Sequence, residues 1–133
     1  MSVIARFEVI PVRDGSMSTT IASALRALDQ FPVDYQTTAT DTVIEAETVG
    51  TVLAAVQAAH RAIPDDRVIT SLEIDEDRRR PQGMAQRVAA VERELGHPPQ
   101  RFQALAQQRP RPAGTSHEQR DERARFTQSP PMG

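Results

Sequence analysis

Hydrophobic and polar residues along the first 75 positions alternate in a pattern that predicts six regular elements. Residues 3–12 and 67–75 alternate with a period of two, which is typical of strands with one buried face. In residues 18–31 and 49–63 the apolar positions recur every three or four residues, as on one side of a helix. A weaker alternation over residues 35–47 indicates a β-hairpin. The predicted order is therefore β-α-β-β-α-β.

This order defines the expected fold class, an α+β fold with a ferredoxin-like antiparallel sheet and its first and third strands in the centre. In the third strand Ile44 and Ala46 share one face, and Val43, Glu45 and Glu47 share the other. Glu45 thus lies in the middle of the sheet. It either faces water on an open sheet face or belongs to a site that uses its carboxylate.

Capping residues and prolines set the expected limits of the helices. Ser16 or Ser18 is suited to cap the first helix, and Thr48 the second. A third helix is predicted within residues 79–99, with Gly96 as its C-cap and an apolar stripe at helical spacing. That stripe consists of Met84, Val88, Val91 and Leu95. The main domain is expected over residues 1–78 and a disordered tail over 100–133, where large apolar side chains are few.

The composition excludes several kinds of chemistry. The 133 residues include no Cys, so disulfides, thiolate metal sites and a cysteine nucleophile are excluded. The three histidines, at 60, 97 and 117, do not have the spacing of metal ligands. The first apolar run contains Arg6 and Glu8 and resembles neither a signal peptide nor a membrane span. We expect a soluble cytoplasmic protein with no membrane partner and no cofactor.

Charge is distributed unevenly along the chain. Residues 1–77 contain 13 acidic residues and 5 arginines, a net charge of -8. Residues 78–133 contain 5 acidic residues and 11 arginines, a net charge of +6. An acidic folded part favours cationic or neutral ligands and repels nucleic acid. The arginines of the tail are interspersed with acidic residues and few aromatics, which indicates a solvating tail. No nucleic-acid partner is expected.

Four segments in this order resemble the thiamine-binding protein family: residues 9–12 followed by Gly15-Ser16, then 42–45, 56–60 and 67–75. The resemblance covers about residues 2–78. It implies a ferredoxin-like fold, a homodimer or homotetramer formed by sheet association, and binding of thiamine or a related aminopyrimidine without catalysis. The sequence departs from the family at Ala39-Thr40-Asp41, often Pro-Met-Gly, and at Glu73, often basic.

Thiamine combines an aminopyrimidine with a cationic thiazolium, so its site should offer a carboxylate, hydroxyl acceptors and apolar ring contacts. Our hypothesis is that Glu45, in the segment 42–45, pairs with the ring nitrogen and stabilises the positive charge. The Glu45→Gln substitution is then expected to weaken thiamine binding by about tenfold or more. The other candidate ligand-binding residues are the hydroxyl residues Thr42, Ser16, Ser18 and Ser71 and the aromatic residues Phe7 and Tyr35.

Two other functions are compatible with the same fold. A small ferredoxin-like domain can be an oligomeric interaction or regulatory module without a ligand. An enzyme could use Glu45 and Glu47 as an acid/base pair, since residues two apart share a strand face. Because there is no phosphate-binding glycine loop and no Cys or Lys nucleophile, we favour a non-catalytic carrier, buffer or sensor.

Overall fold

The computed structural model describes residues 2–108, and its element order confirms the predicted β-α-β-β-α-β arrangement. Of the described residues, those up to His97 form one compact unit, and residues 98–108 belong to a second. The elements are β1 (Val3–Pro11), α1 (Ser18–Leu28), β2 (Asp34–Thr37), β3 (Thr42–Ala46), α2 (Val49–Arg61), β4 (Val68–Asp75), α3 (Met84–Leu95) and α4 (Ala104–Gln108).

The sheet is antiparallel, with the strand order β2-β3-β1-β4 that places β1 and β3 in the centre. This confirms the ferredoxin-like prediction. The central strand β1 is longer than its neighbour β3. Its last pair with β3 is Phe7 with Thr42, whereas its ladder with β4 continues to Pro11 and Val68. Among the described residues, the last part of β1 therefore has a strand neighbour on one side only.

Both α1 and α2 cover one face of the sheet and enclose the core. The alternate residues of β1 and β3 that point toward the helices are buried, and they meet buried residues from one side of each helix. The strand residues are Val3, Ala5, Phe7, Val9, Ile44 and Ala46, and the helix residues are Ala24, Leu28, Val52, Ala55, Val56 and Ala59.

Helix termini largely follow the predicted capping pattern. Thr48 caps α2, where its hydroxyl accepts a hydrogen bond from the Thr51 N–H at 3.1 Å. Gly96 ends α3 in the left-handed conformation, with φ of +86°. At α1 the N-cap residue is Met17, without a side-chain cap, and the Ser16 hydroxyl accepts from the Ser18 N–H at 3.3 Å.

An ion pair joins the two loops at the end of the sheet where β1 finishes and β4 begins. Arg13 Nε donates to Asp65 Oδ2 at 2.6 Å, and the guanidinium makes a second hydrogen bond to Asp65 Oδ1. This bidentate contact lowers the pKa of Asp65 and raises the pKa of Arg13. The loop before α1 is thereby tied to the loop after α2.

The C-terminal part differs in one respect from the prediction. Disorder is expected from residue 100 onward, but Ala104–Gln108 forms a short helix. Its sequence, Ala-Leu-Ala-Gln-Gln, consists of residues with high intrinsic helix propensity. The rest of the predicted tail, residues 109–133, lies outside the described residues.

Candidate functional site

A cavity of about 310 Å³ lies between the first helix, the end of β1 and the β2–β3 hairpin. Its apolar walls come from the side of α1 that faces the sheet and from β1. Its rim comes from the hairpin. The lining residues are Phe7 to Ile10, Met17, Ile21, Ala24, Leu25 and Thr37 to Thr42. Small-molecule sites commonly have this character, with apolar walls and a few polar groups at fixed positions.

The cavity exists because the hairpin turns away before β1 ends. Beyond the Phe7–Thr42 pair, the chain from Thr38 to Asp41 forms a turn instead of continuing the β3 ladder. We call the gap between this turn and residues 8–10 of β1 the notch. A second hollow, of about 400 Å³, adjoins the notch from the sheet face opposite the helices, because Phe7, Glu8, Thr40 and Asp41 line both spaces.

Threonine hydroxyls hold the turn at the rim in place. Thr38 Oγ1 accepts from the backbone N–H groups of Thr40 and Asp41, each at 3.2 Å, and donates to Asp41 Oδ1 at 2.9 Å. The hydroxyls of Thr37 and Thr42 are 2.9 Å apart across the hairpin. The rim is therefore an ordered set of hydroxyl and carboxylate oxygens.

The charged residues at the rim are acidic. Glu8 and Asp41 line the cavity, and both also line the hollow on the opposite face, where Arg6 and Glu73 form an ion pair at 3.1 Å. Since the arginine already has a carboxylate partner, the rim presents net negative potential. Such a site favours a cationic or neutral ligand over a phosphorylated one.

The structure brings only part of the sequence-predicted site together. Phe7 and Thr42 line the cavity, and Ser16 and Ser18 flank Met17, which also lines it. The other predicted residues lie elsewhere. Ser71 lines the hollow on the opposite face. The Tyr35 hydroxyl, on the edge strand, donates to Asp29 Oδ1 at 3.0 Å, which raises the pKa of Tyr35.

Glu45 is held at the start of α3, outside the cavity. Its Oε1 accepts from the Met84 N–H at 2.9 Å, and its Oε2 accepts from the Ser2 hydroxyl at 3.1 Å. Gly83 lies so close that a Cβ there would be 2.6 Å from Glu45 Oε2. A carboxylate at a helix N-terminus satisfies a free N–H group and interacts favourably with the helix dipole. Glu45 is therefore neither simply solvated nor aimed at the cavity, and its contact with a ligand stays a prediction.

An ion pair adds to the attachment of α3. Arg87 donates to Asp75 Oδ2 at 2.7 Å, which lowers the pKa of Asp75 and raises the pKa of Arg87. In the sheet, Ile4 lies directly between Glu45 and Asp75, and only 9% of its surface is exposed although it points away from the core. The two carboxylates that bind α3 thus flank an apolar residue on the open face.

Removing the Glu45 carboxylate is expected to release the first turn of α3. In Glu45→Ala the Met84 N–H loses its acceptor, as in the loss of a helix cap, which costs about 0.5–2 kcal/mol. Hydrogen exchange of the amides in the first turn of α3 should accelerate. Glu47→Ala, at an exposed position just beyond β3, is the control and should leave that exchange unchanged.

The same variant also tests the ligand-binding prediction for Glu45. If Glu45 contacts a ligand, Glu45→Ala and Glu45→Gln lose thiamine affinity as well. Thiamine affinity that stays at the wild-type value while the first turn of α3 is released would assign Glu45 to the helix alone. Unchanged exchange in α3 would contradict the anchoring role.

Sequence reasoning missed most of the cavity wall. Met17, Ile21 and Leu25 follow one another at four-residue intervals, and the sequence predicts them as part of an ordinary core-facing stripe. Met17 is 39% exposed, and Ile21 and Leu25 are half-buried, so this row extends beyond the buried core. The width of the apolar stripe on α1 was a sequence signal that the row extends beyond the core. That the row lies opposite β1 and the hairpin, and so forms a cavity wall, depends on tertiary structure.

Within residues 2–108 no group of three or more His, Asp or Glu side chains could hold a metal ion. In the same range, no helix is long and apolar enough to cross a membrane.

The fold and cavity define a class, a small ferredoxin-like α+β domain with an apolar, hydroxyl-rimmed cavity beside the free edge of a central strand. Residues 5–92 match the family model described as thiamine-binding protein. The chain belongs to the thiamine-binding protein family, which confirms the resemblance found in the sequence.

Relatives and solved structures agree with this membership. A UPF0045 protein from Methanothermobacter thermautotrophicus is 34% identical over 98 residues, which are 70% of this chain and 99% of that protein. The crystal structure of a protein from Methanocaldococcus jannascii superposes with a TM-score of 0.64 at 28% identity, covering 68% of this chain and 95% of the other. The structure of a DUF77 domain from Bacillus cereus superposes with a TM-score of 0.60 at 25% identity, covering 70% of this chain and 92% of the other.

Proposed function

We propose that this chain binds thiamine or a related aminopyrimidine without catalysing its conversion, in the cavity between α1, β1 and the hairpin. The observation that carries the proposal is the cavity itself, about 310 Å³ in volume, apolar in its walls and ringed by oxygen atoms, in a member of the thiamine-binding protein family. A carrier, buffer or sensor of the vitamin needs such a site and no reactive groups.

The lining of the cavity suits the chemistry of thiamine. Phe7, Met17 and Leu25 offer apolar contact to a planar ring, and Thr37 and Thr42 offer hydroxyls. Glu8 and Asp41 at the rim suit the cationic thiazolium and disfavour a diphosphate. We therefore expect unphosphorylated thiamine to bind more tightly than its diphosphate.

The arrangement of the carboxylates supports a non-catalytic role. Glu45, the main candidate for acid/base work, has both oxygens engaged by the chain's own Ser2 and Met84. Glu47, its proposed partner, is exposed beyond the end of β3. Neither residue lines the cavity.

Isothermal titration of the full chain with thiamine, thiamine diphosphate and the free aminopyrimidine tests the proposal. A ligand present at one hundred times its dissociation constant should also stabilise the fold by about 2.7 kcal/mol. Absence of heat and of stabilisation with all three compounds would overturn ligand binding and favour the ligand-free interaction module.

We also propose that the sheet face opposite α1 and α2 associates with a second copy of this chain. This face has Ile69, paired with Ile10, at 44% exposure, and the adjacent α3 has Val88, Val91 and Leu95 each about half-exposed. Arg6 and Glu73, ion-paired and exposed among these residues, offer both signs of charge to an identical surface. The alternative function, a ligand-free interaction module, would use the same surface.

Sedimentation velocity over a range of protein concentrations measures this association. We expect a dimer or tetramer at micromolar concentration, and Val91→Asp, on the exposed side of α3, should shift the distribution toward monomer. Leu53→Asp, at a similarly exposed apolar residue of α2, the helix that covers the other face of the sheet, is the control. A monomer at every concentration would contradict the proposal.

A further inference from the structure

The last residues of β1 present backbone groups to the notch. Val12 N donates to the Arg67 carbonyl at 2.9 Å, in register with the β1–β4 ladder. Along an antiparallel strand the hydrogen-bonding direction alternates from residue to residue. The even-numbered residues of β1 therefore bond to β4. The N–H and C=O groups of Val9 point the other way, toward the hairpin.

In the part of the chain that the structure describes, no strand meets Val9 on that side. The register of β1 with β3 would place Thr40 opposite Val9, but the ladder ends at Phe7 and Thr42, and the Thr40 N–H is bonded to Thr38 Oγ1. Across residues 2–108, neither backbone group of Val9 has a hydrogen-bond partner within the protein. Only 5% of the Val9 surface is exposed, and the residue lines the cavity.

A buried backbone donor and acceptor without protein partners are unusual, because most such groups are paired. Here they lie side by side on one residue and face a space that can hold a ligand. A molecule with an acceptor next to a donor on one edge would complete both hydrogen bonds, as an added strand does at a sheet edge. The 4-aminopyrimidine ring has this edge, with a ring nitrogen as acceptor and the amino group as donor.

We propose that the Val9 backbone is the group that recognises the aminopyrimidine edge, so that the ligand occupies the place that Thr40 would have in a continued ladder. This inference rests on the proposed function and deepens it. The Val9 backbone would select ligands by their pattern of hydrogen-bond donors and acceptors, whereas the acidic rim selects them by charge. The sheet supplies the recognition through its backbone, which explains why no side chain in the sequence indicates it.

The 4-oxo counterpart of thiamine tests the pattern without any change to the protein. Its ring nitrogen carries a proton and its oxygen accepts, so both hydrogen bonds to Val9 are reversed. If the ring turned over, both hydrogen bonds could form again, but the ring substituents would then exchange their positions against the cavity walls. We expect calorimetry to show about 30-fold or more weaker binding than that of thiamine, the loss of two hydrogen bonds.

The Val9 amide provides a second readout in the unmodified full chain. With ¹⁵N-valine labelling, the Val9 cross-peak, assigned by its absence in Val9→Ile, should shift downfield when thiamine is added, and its hydrogen exchange should slow. The Val3 amide, at the far end of β1 in the pairing with Ala46, is the internal control and should not change.

The outcomes separate this inference from the proposed function. Thiamine binding with an unchanged Val9 amide, or with equal affinity for the 4-oxo compound, would overturn the role of Val9 and leave thiamine binding intact. Failure of thiamine and of the free aminopyrimidine to bind at all would overturn both. A shifted Val9 amide together with selection against the 4-oxo compound would establish the role of the strand edge.

Discussion

Leu28→Ala is expected to lower the free energy of unfolding by about 2–5 kcal/mol, the usual range for removing a buried leucine side chain. Leu28 is completely buried at the end of α1, where it belongs to the core formed by both helices and the sheet. The truncation removes apolar contacts and leaves a cavity that the surrounding residues fill only in part. Urea denaturation followed by circular dichroism measures the change.

The size of the domain makes this loss large in relative terms. Small domains bury a smaller fraction of their surface than large ones, and typical domains are stable by only about 5–15 kcal/mol in total. Leu53→Ala, the same substitution at a residue of α2 that is 49% exposed, is the matched control and should cost well under half as much. Equal costs at the two positions would contradict the assigned core.

Ile21→Trp is expected to abolish ligand binding while the domain remains folded. Ile21 is half-buried and lines the cavity from α1, so an indole at this position occupies the space proposed for the pyrimidine ring. The stabilisation of about 2.7 kcal/mol that thiamine should give the wild type at one hundred times its dissociation constant should disappear. Calorimetric affinity should fall by about 100-fold or more, equivalent to at least 2.7 kcal/mol.

Arg26→Trp introduces the same side chain into the same helix at an exposed position that does not line the cavity. It should bind thiamine with wild-type affinity. Circular dichroism and the urea midpoint of both variants establish that they are folded. If Ile21→Trp binds thiamine with wild-type affinity, the ligand does not use this cavity.

The comparison of Glu45 with Val9 shows where sequence reasoning about a site reaches its limit. Glu45 attracts attention because a carboxylate in a central strand is unusual, yet the structure explains it by the start of α3, 39 residues further along the chain. Val9 looks like an ordinary core residue. Its importance comes from backbone groups left unpaired where β3 ends, a property that depends on the register of two strands.

The amino-acid sequence by itself determined the element order, the ferredoxin-like class, the cap at Thr48, the end of α3 at Gly96 and the family. Each of these depends on local periodicity, local hydrogen bonding or a linear motif, so the order of side chains is sufficient. It also predicted Phe7 and Thr42 as candidate ligand-binding residues, and the structure places both on the cavity wall, at paired positions in neighbouring strands.

Only the tertiary structure decided the rest. The exclusion of Ser71 and Glu45 from the cavity follows from the two faces of one sheet, which hold residues apart however near they are in the sequence. The free edge of β1 follows from a difference in length between two strands that meet only on folding. These features arise from contacts between distant segments, and a local pattern of polar and apolar residues does not encode which segments meet.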